Sequence, residues 1–203
     1  HRHLTDILEI LRKSKLSSKA KSIAEDLFQS LGRAESSVHQ VPIEEVHFHE
    51  VGAVDTIIDI VSIAIALEYF EIESVSSSTI LEGVGKVKFS HGECDLPVPA
   101  VRELLGDIPL HRIPVSSELV TPTGAVFLQR FVEYFSDLSP LLQPRKGVGC
   151  GTKNLSHPNV FELQLSEQKL IAEEIIRLEA NVDDVSPQLL SLIHISEPTR
   201  HLF

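Results

Sequence analysis

His47-Phe48-His49-Glu50 is the strongest metal-ligand cluster in the chain. On an extended strand alternate side chains point the same way, so His47 and His49 share a face and Glu50 can add an oxygen. Imidazole suits nickel, zinc or copper. The competing reading is a surface strand with two solvated histidines. His1 and His3 add two further imidazoles, although two exposed histidines at a helix start are equally ordinary. A few residues on, Asp55, Asp59 and Ser62 fall at i, i+4 and i+7 of an otherwise apolar segment, forming one narrow polar stripe. A carboxylate buried there must be paired, metal-bound or protonated. The alternative is a stripe facing water, with the earlier aspartate favoured by the helix dipole. A site assembled from His47, His49, Asp55 and Asp59 is geometrically admissible.

Thr121-Pro122-Thr123-Gly124 announces a helix whose unpaired first-turn N–H groups can hold an anion, two hydroxyls and a glycine letting phosphate come close. Simple capping by Thr121 is the competing reading. Gly147-Val-Gly-Cys-Gly-Thr-Lys153 fits neither G-x-x-x-x-G-K-[ST] nor G-x-G-x-x-G, and it sits between strands rather than before a helix. It reads as a glycine-rich turn or bulge, with Lys153 a candidate contact for an anionic ligand. His91, Glu93, Cys94 and Asp95 group four potential ligands in a predicted hairpin loop, at a spacing that matches no specific metal site. No G-x-S-x-G elbow supports a Ser-His-Asp reading.

The elements that must position these residues follow from periodicity. Leu4, Ile7, Leu8 and Leu11 predict an amphipathic helix to Leu16. A second helix is predicted from Ser18 to Ala34, capped by Ser17 or Ser18, with Ala20, Ile23, Ala24, Leu27, Phe28 and Leu31 buried and Gly32 at its fraying end. A short strand over Val46–Val51 leads through Gly52 into a buried helix within Ala53–Phe70. Then come a β-branched run from Val75 to Leu81, a hairpin strand through Phe89, and a short helix introduced by Pro97-Val-Pro99 and ending at Leu105. The helix after Thr121 is predicted to run to about Phe135. Extended segments at Leu141–Val148, Asn159–Leu165 and Leu170–Ala180 close the chain. The fold class is α/β or α+β, a mixed sheet with packed helices ending in a strand meander.

With 29 acidic and 18 basic residues among 203, the formal net charge is −11. That argues against non-specific nucleic-acid binding, which needs a basic surface. Cys94 and Cys150 form no C-x-x-C pair, so neither a disulfide scaffold nor a cysteine zinc site is encoded. The longest apolar segment carries Asp55 and Asp59, each costing about 2.5–3.5 kcal/mol at a membrane centre. The expectation is a cytoplasmic protein with neither a leader nor a membrane span. Methionine is absent, even at position 1, so a start upstream of His1 is expected.

Five segments in order resemble one family: His1-Arg-His-Leu-Thr-Asp-Ile7, the run from Val46 to Val61, Leu96-Pro-Val-Pro-Ala100, Glu118-Leu-Val-Thr-Pro-Thr-Gly-Ala125, and Leu178-Glu-Ala-Asn-Val-Asp-Asp184. They resemble the LarC-type nickel insertion proteins, which make the nickel-pincer nucleotide cofactor of lactate racemase. The resemblance implies a cyclometallase acting on pyridinium-3,5-bisthiocarboxylic acid mononucleotide, with CTP consumed and a divalent ion such as manganese assisting. The substrate's soft sulfur donors suit nickel. In this light His47, His49, Glu50 and Asp55 become candidate nickel ligands, and Asp55 and Asp59 candidate bases or orienting groups. Thr121, Thr123, Gly124 and Lys153 become candidates for the substrate phosphate.

Members of that family also have a strand–loop–helix segment and usually a histidine-rich stretch upstream of the residue matching His1. After the segment matching Leu178–Asp184 they continue into a C-terminal domain that binds CTP and builds a homo-oligomer. The expected organisation is therefore a central region over 1–177, the start of a truncated C-terminal domain over 178–190, and a foreign tail over 191–203. That tail, Ser191-Leu-Ile-His-Ile-Ser-Glu-Pro-Thr-Arg200, resembles translated sequencing-adapter read-through. Such a fragment is expected not to complete the reaction. The rival function is a non-catalytic nickel storage or metallochaperone protein, which needs the histidines but no nucleotide contacts; a plain interaction domain needs neither. Ligating imidazoles must be deprotonated, so calorimetric nickel affinity is expected to fall as pH drops through about 6.5. Affinity indifferent to pH from about 5 to 8 would count against His47 and His49 as ligands.

Overall fold

The computed structural model of the chain describes residues 2–48, 54–89, 92–135, 144–153, 155 and 159–167, with backbone alone for His47 and Phe89. Two compact units divide at Leu165, and the elements below all belong to the first, His1–Leu165.

The chain opens with β1 (Arg2–His3), α1 (Leu4–Lys13) and α2 (Ser18–His39), then a single 3-10 turn over Ile43–Glu45, β2 (His47–Phe48) and α3 (Val54–Tyr69). Next come β3 (Val75–Ser77), β4 (Ile80–Glu82), β5 (Lys86–Phe89), β6 (Gly92–Asp95), α4 (Pro99–Leu105) and β7 (Leu110–Arg112). The last elements are α5 (Pro122–Phe131), β8 (Val132–Phe135), β9 (Arg145–Cys150) and β10 (Val160–Leu165). Helices interleaved with parallel and antiparallel strands make this a mixed α/β structure. Among the described residues the strands form five two-stranded ribbons: β3·β8 and β4·β7 run parallel, while β1·β2, β5·β6 and β9·β10 run antiparallel. The β9·β10 pair is the described part of the predicted meander; Leu170–Ala180 lies outside the described residues, as do 178–203.

The core is built on α2. Ser17 accepts the Ala20 N–H at 3.0 Å and so starts the helix as its N-cap. Ala20, Ala24, Leu27, Phe28 and Leu31 are buried on the predicted stripe and pack with Ile7 and Leu11 of α1, Ile60 and Ala64 of α3, Val101 of α4 and Val126 of α5. Each large side chain so buried contributes about 1.5–3 kcal/mol. The helix does not end at Gly32. It continues to His39 and stops where Gln40 turns left-handed, at φ 55°. Gly32 serves a close approach instead, since a Cβ there would stand 3.1 Å from Leu4 Cδ2 and 3.3 Å from the Ile43 side chain.

Two further expectations are corrected. Only one face of α3 is buried, through Thr56, Ile60 and Ala64, because the helix packs mainly along α2. Val54, Ile58 and Ile65 are exposed and Tyr69 is 77% exposed, so the segment is amphipathic by position although not by composition. The helix after Thr121 stops at Phe131, short of Phe135. From Val132 the chain becomes β8 and pairs in parallel with β3, a tertiary partner that outweighs the helical periodicity.

The β4·β7 pair sets the surroundings of the Thr121 turn. The Ile113 N–H bonds the Glu82 carbonyl and the Val84 N–H bonds the Val115 carbonyl, both at 2.9 Å, so the two strands stay side by side past their ends. At Gly83 a Cβ would overlap the carbonyl oxygens of Val115 and Ser117. Gly83→Ala is therefore expected to cost about 3 kcal/mol in urea unfolding. Gly147→Ala, whose Cβ meets open space, is expected to change stability by less than about 0.5 kcal/mol.

Candidate functional site

The histidine motif forms part of a ribbon. Antiparallel pairing sets His3 directly opposite His47 and Arg2 opposite Phe48. Opposed positions in such a pair have Cα atoms about 4.5–5.5 Å apart. Val46 and Phe48 are both buried, at 1% exposure each, so position 47 is the alternate one along the strand. The fold thus brings Arg2–His3 to His47–Phe48 across more than forty intervening residues, a meeting that periodicity within either strand does not reveal. His1, His49 and Glu50 lie outside the described residues. His3 is also the N-cap of α1, and its N–H bonds Asp6 Oδ2 at 2.9 Å, fixing the helix start just after the ribbon.

Asp55 lies in the first turn of α3 and Asp59 one turn later, and both are exposed. The polar stripe therefore faces outward, as the solvent-facing alternative expects. Among the described residues no three His, Cys, Asp or Glu side chains converge on a common point. Glu93, Cys94 and Asp95 lie not in a loop but on β6, paired with β5; Glu93 and Asp95 are exposed and Cys94 half-buried, with Lys86 Nζ 4.0 Å from Glu93, and His91 lies outside the described residues. Cys94 and Cys150 form no disulfide. Glu162, an exposed carboxyl on β10, is held below the ordinary carboxylate range by the Gln164 amide and then by Lys146.

The second candidate cluster is described atom by atom. Thr121 is the N-cap of α5 and its hydroxyl accepts the Gly124 N–H at 3.2 Å, with Pro122 in the first turn. The capping reading is thus realised. Among the described residues, however, nothing requires a glycine at 124: a Cβ there would find Thr121 Oγ1 at 3.6 Å, an ordinary contact. A helix-interior glycine without a steric reason costs about 0.5–1 kcal/mol relative to alanine, and here it leaves the first turn open to a close approach from outside. Thr123 and Gly124 are both partly exposed.

Lys153 reaches the same place. Its Nζ donates to the Glu118 carbonyl at 3.4 Å, three residues before the cap. The turn that carries it closes on Asn159, whose carbonyl accepts the Gly151 N–H at 3.0 Å and whose side-chain amide donates to the Lys153 carbonyl at 3.3 Å. A Cβ on Gly151 would overlap that amide, so this glycine lets the Asn159 side chain lie against the turn. The fold therefore joins Lys153 to the approach to the Thr121–Gly124 turn. A residue the sequence reading missed, Glu82, lies behind that approach: it is wholly buried, and its carboxylate accepts the Leu119 and Val120 N–H groups at 2.9 and 3.2 Å. The only signal for it was a lone acidic residue ending a β-branched run.

A separate groove of about 370 Å³ is lined by Lys19, Leu67, Arg130 and Glu133 among others and includes none of the predicted residues. Its Arg130 is held bidentately by Asp26, at 2.7 and 2.9 Å. No described helix is long and apolar enough to cross a membrane.

The family described as "Nickel insertion protein" matches residues 1–196. A putative nickel insertion protein of Dictyoglomus thermophilum is 40% identical over 95% of this chain and 50% of its own length. Pyridinium-3,5-bisthiocarboxylic acid mononucleotide nickel insertion proteins of Staphylococcus saprophyticus and Desulfitobacterium hafniense are 39% and 40% identical, over 94% and 93% of this chain and 49% of each relative. The chain thus spans about half the length of the curated relatives it matches. No solved structure matches it.

Substitutions at Thr121 and Gly124 are expected to move stability in opposite directions. Thr121→Ala is expected to lower unfolding stability by about 1 kcal/mol and Thr121→Ser to restore it. Gly124→Ala is expected to raise stability by about 0.5–1 kcal/mol, both read from urea midpoints.

Proposed function

Because the chain belongs to the nickel insertion protein family, we propose that it is the part of such a protein that receives nickel and holds the nucleotide-linked substrate named for its relatives, pyridinium-3,5-bisthiocarboxylic acid mononucleotide. The whole protein would then act as a cyclometallase, seating nickel between two sulfurs and a ring carbon to make the nickel-pincer cofactor of lactate racemase. The observation that carries the metal half of this reading is the register of β1 and β2, which sets His3 opposite His47. His47 and His49 supply the imidazoles of the strand, Glu50 and Asp55 carboxylate oxygens, and nickel is bound there as substrate rather than kept as a cofactor. Asp55 and Asp59, exposed on the first two turns of α3, act as base or orienting groups.

The substrate phosphate is assigned to the first turn of α5. Thr121 and Thr123 offer hydroxyls, Gly124 leaves the approach clear of a side chain, the helix dipole favours an anion, and Lys153 brings a positive charge to the same approach. CTP, the assisting manganese ion and homo-oligomer contacts are assigned to the C-terminal domain that the relatives' greater length accommodates. The cellular setting in this reading is the cytoplasm. A nickel carrier without catalysis would need the ribbon alone.

Calorimetric titration with nickel tests the metal half on the 203-residue chain carrying His194→Ala and His201→Ala, which removes the histidines of the last ten residues. Adding His47→Ala/His49→Ala is expected to abolish binding, and adding His3→Ala to weaken it by about tenfold or more, or 1.4 kcal/mol. Binding left equal by all of these substitutions would remove nickel handling from the ribbon.

A further inference from the structure

We propose that Glu82 is a positioning residue for the Thr121–Gly124 turn, an inference that rests on the assignment of the substrate phosphate to that turn. Glu82 ends β4 and has no exposed surface. A carboxylate without water is costly unless its oxygens are hydrogen-bonded. Here Oε1 accepts the N–H of Gly83 at 2.6 Å and of Leu119 at 2.9 Å, while Oε2 accepts the N–H of Val120 at 3.2 Å. Leu119 and Val120 immediately precede the cap residue, so both oxygens are spent on backbone that leads into the turn.

The three bonds call for two acceptor oxygens on one side chain. Among side chains of this length only glutamate presents two. Glutamine would turn an N–H₂ against at least one backbone N–H. An apolar side chain of the same volume would fill the space at lower desolvation cost, but would leave the three N–H groups without this acceptor. What the carboxylate secures is therefore a fixed backbone path. The same path is gripped from its other side, where Lys153 Nζ and the Ser117 hydroxyl both donate to the Glu118 carbonyl, at 3.4 and 3.3 Å. The buried carboxyl group of Glu82 takes the N–H groups of residues 119 and 120, and the exposed Lys153 Nζ gives to the carbonyl of residue 118. One short segment thus sets the positions of Lys153 and Thr121 together, and displacements of about 0.5 Å are enough to spoil a binding constellation.

The test compares two probes by calorimetry on the 203-residue chain: pyridinium-3,5-bisthiocarboxylic acid mononucleotide and its dephosphorylated nucleoside. Glu82→Gln is expected to weaken mononucleotide binding about tenfold or more and nucleoside binding less than about twofold, so that the preference for phosphate collapses. A purely structural role would weaken both probes alike, and that result, or no change in either, overturns the proposal. Gly124→Ala and Lys153→Ala separate the two layers of the argument. If they keep the phosphate preference, the seat itself is wrong and Glu82 loses its role with it; if they lose it while Glu82→Gln keeps it, only the role of Glu82 fails. Should Glu82→Gln not fold, amide hydrogen exchange of the unaltered chain decides. Mononucleotide is then expected to slow exchange at Leu119 and Val120 together with Thr123 and Gly124. Protection confined to Thr123 and Gly124 would overturn the proposal.

Discussion

Burial of α2 is the constraint on which the described structure depends. Its apolar stripe contacts α1, α3, α4 and α5, all four of the other described α-helices. The strands cannot substitute for it, because each described ribbon has only two of them and a two-stranded ribbon is marginal in water by itself. The ribbons are instead carried by the helices they adjoin. β1 runs directly into α1, and β8 continues from α5 without an intervening loop. Ion pairs between Arg12 and Glu25 and between Arg130 and Asp26 tie α1 and α5 to α2, but as exposed pairs they contribute at most about 1 kcal/mol each beside the packing.

This arrangement places chemistry at helix starts. His3 caps α1, Asp55 lies in the first turn of α3 and Thr121 caps α5, and all three helices pack on α2. The first turn of a helix is where backbone N–H groups lack internal partners, so polar side chains gather there for structural reasons alone. The same geometry makes those positions available for ligands once the structural need is met. At Thr121 the need is met by one hydroxyl, and the unrequired glycine at position 124 is what the capping role leaves unexplained.

Legibility in the sequence followed the range of the interaction. The stripe of α2, the Ser17 cap, the β5·β6 hairpin and the Pro122 helix start are all set by neighbours within a few residues, and each was readable. Gly32 misled because a glycine that ends a helix and one that admits Leu4 and Ile43 look alike in one dimension. β8 misled because its partner, β3, lies more than fifty residues away and overrides a local helical pattern. The composition of α3 suggested burial on all sides, yet exposure depends on how many neighbours the helix has rather than on how apolar it is. In the candidate site, residue types and motif spacing were readable. The pairing of His3 with His47, the meeting of Lys153 with residue 118 and the enclosure of Glu82 were not, since each joins segments that only the tertiary fold brings together.

Those three long-range contacts divide the work differently. The histidine pairing depends on backbone register alone, and register in a ribbon with one buried face is strongly specified, because a slip of one residue would turn Phe48 out of the core. The Lys153 contact is a single exposed bond, easily exchanged for water. The Glu82 contact is neither. Its donors are backbone groups, and its acceptor has no exposed surface through which water could replace it. Of the three it therefore tolerates least change in its partner, and the path from Leu119 to Thr121 is held by the interaction with the highest cost of failure.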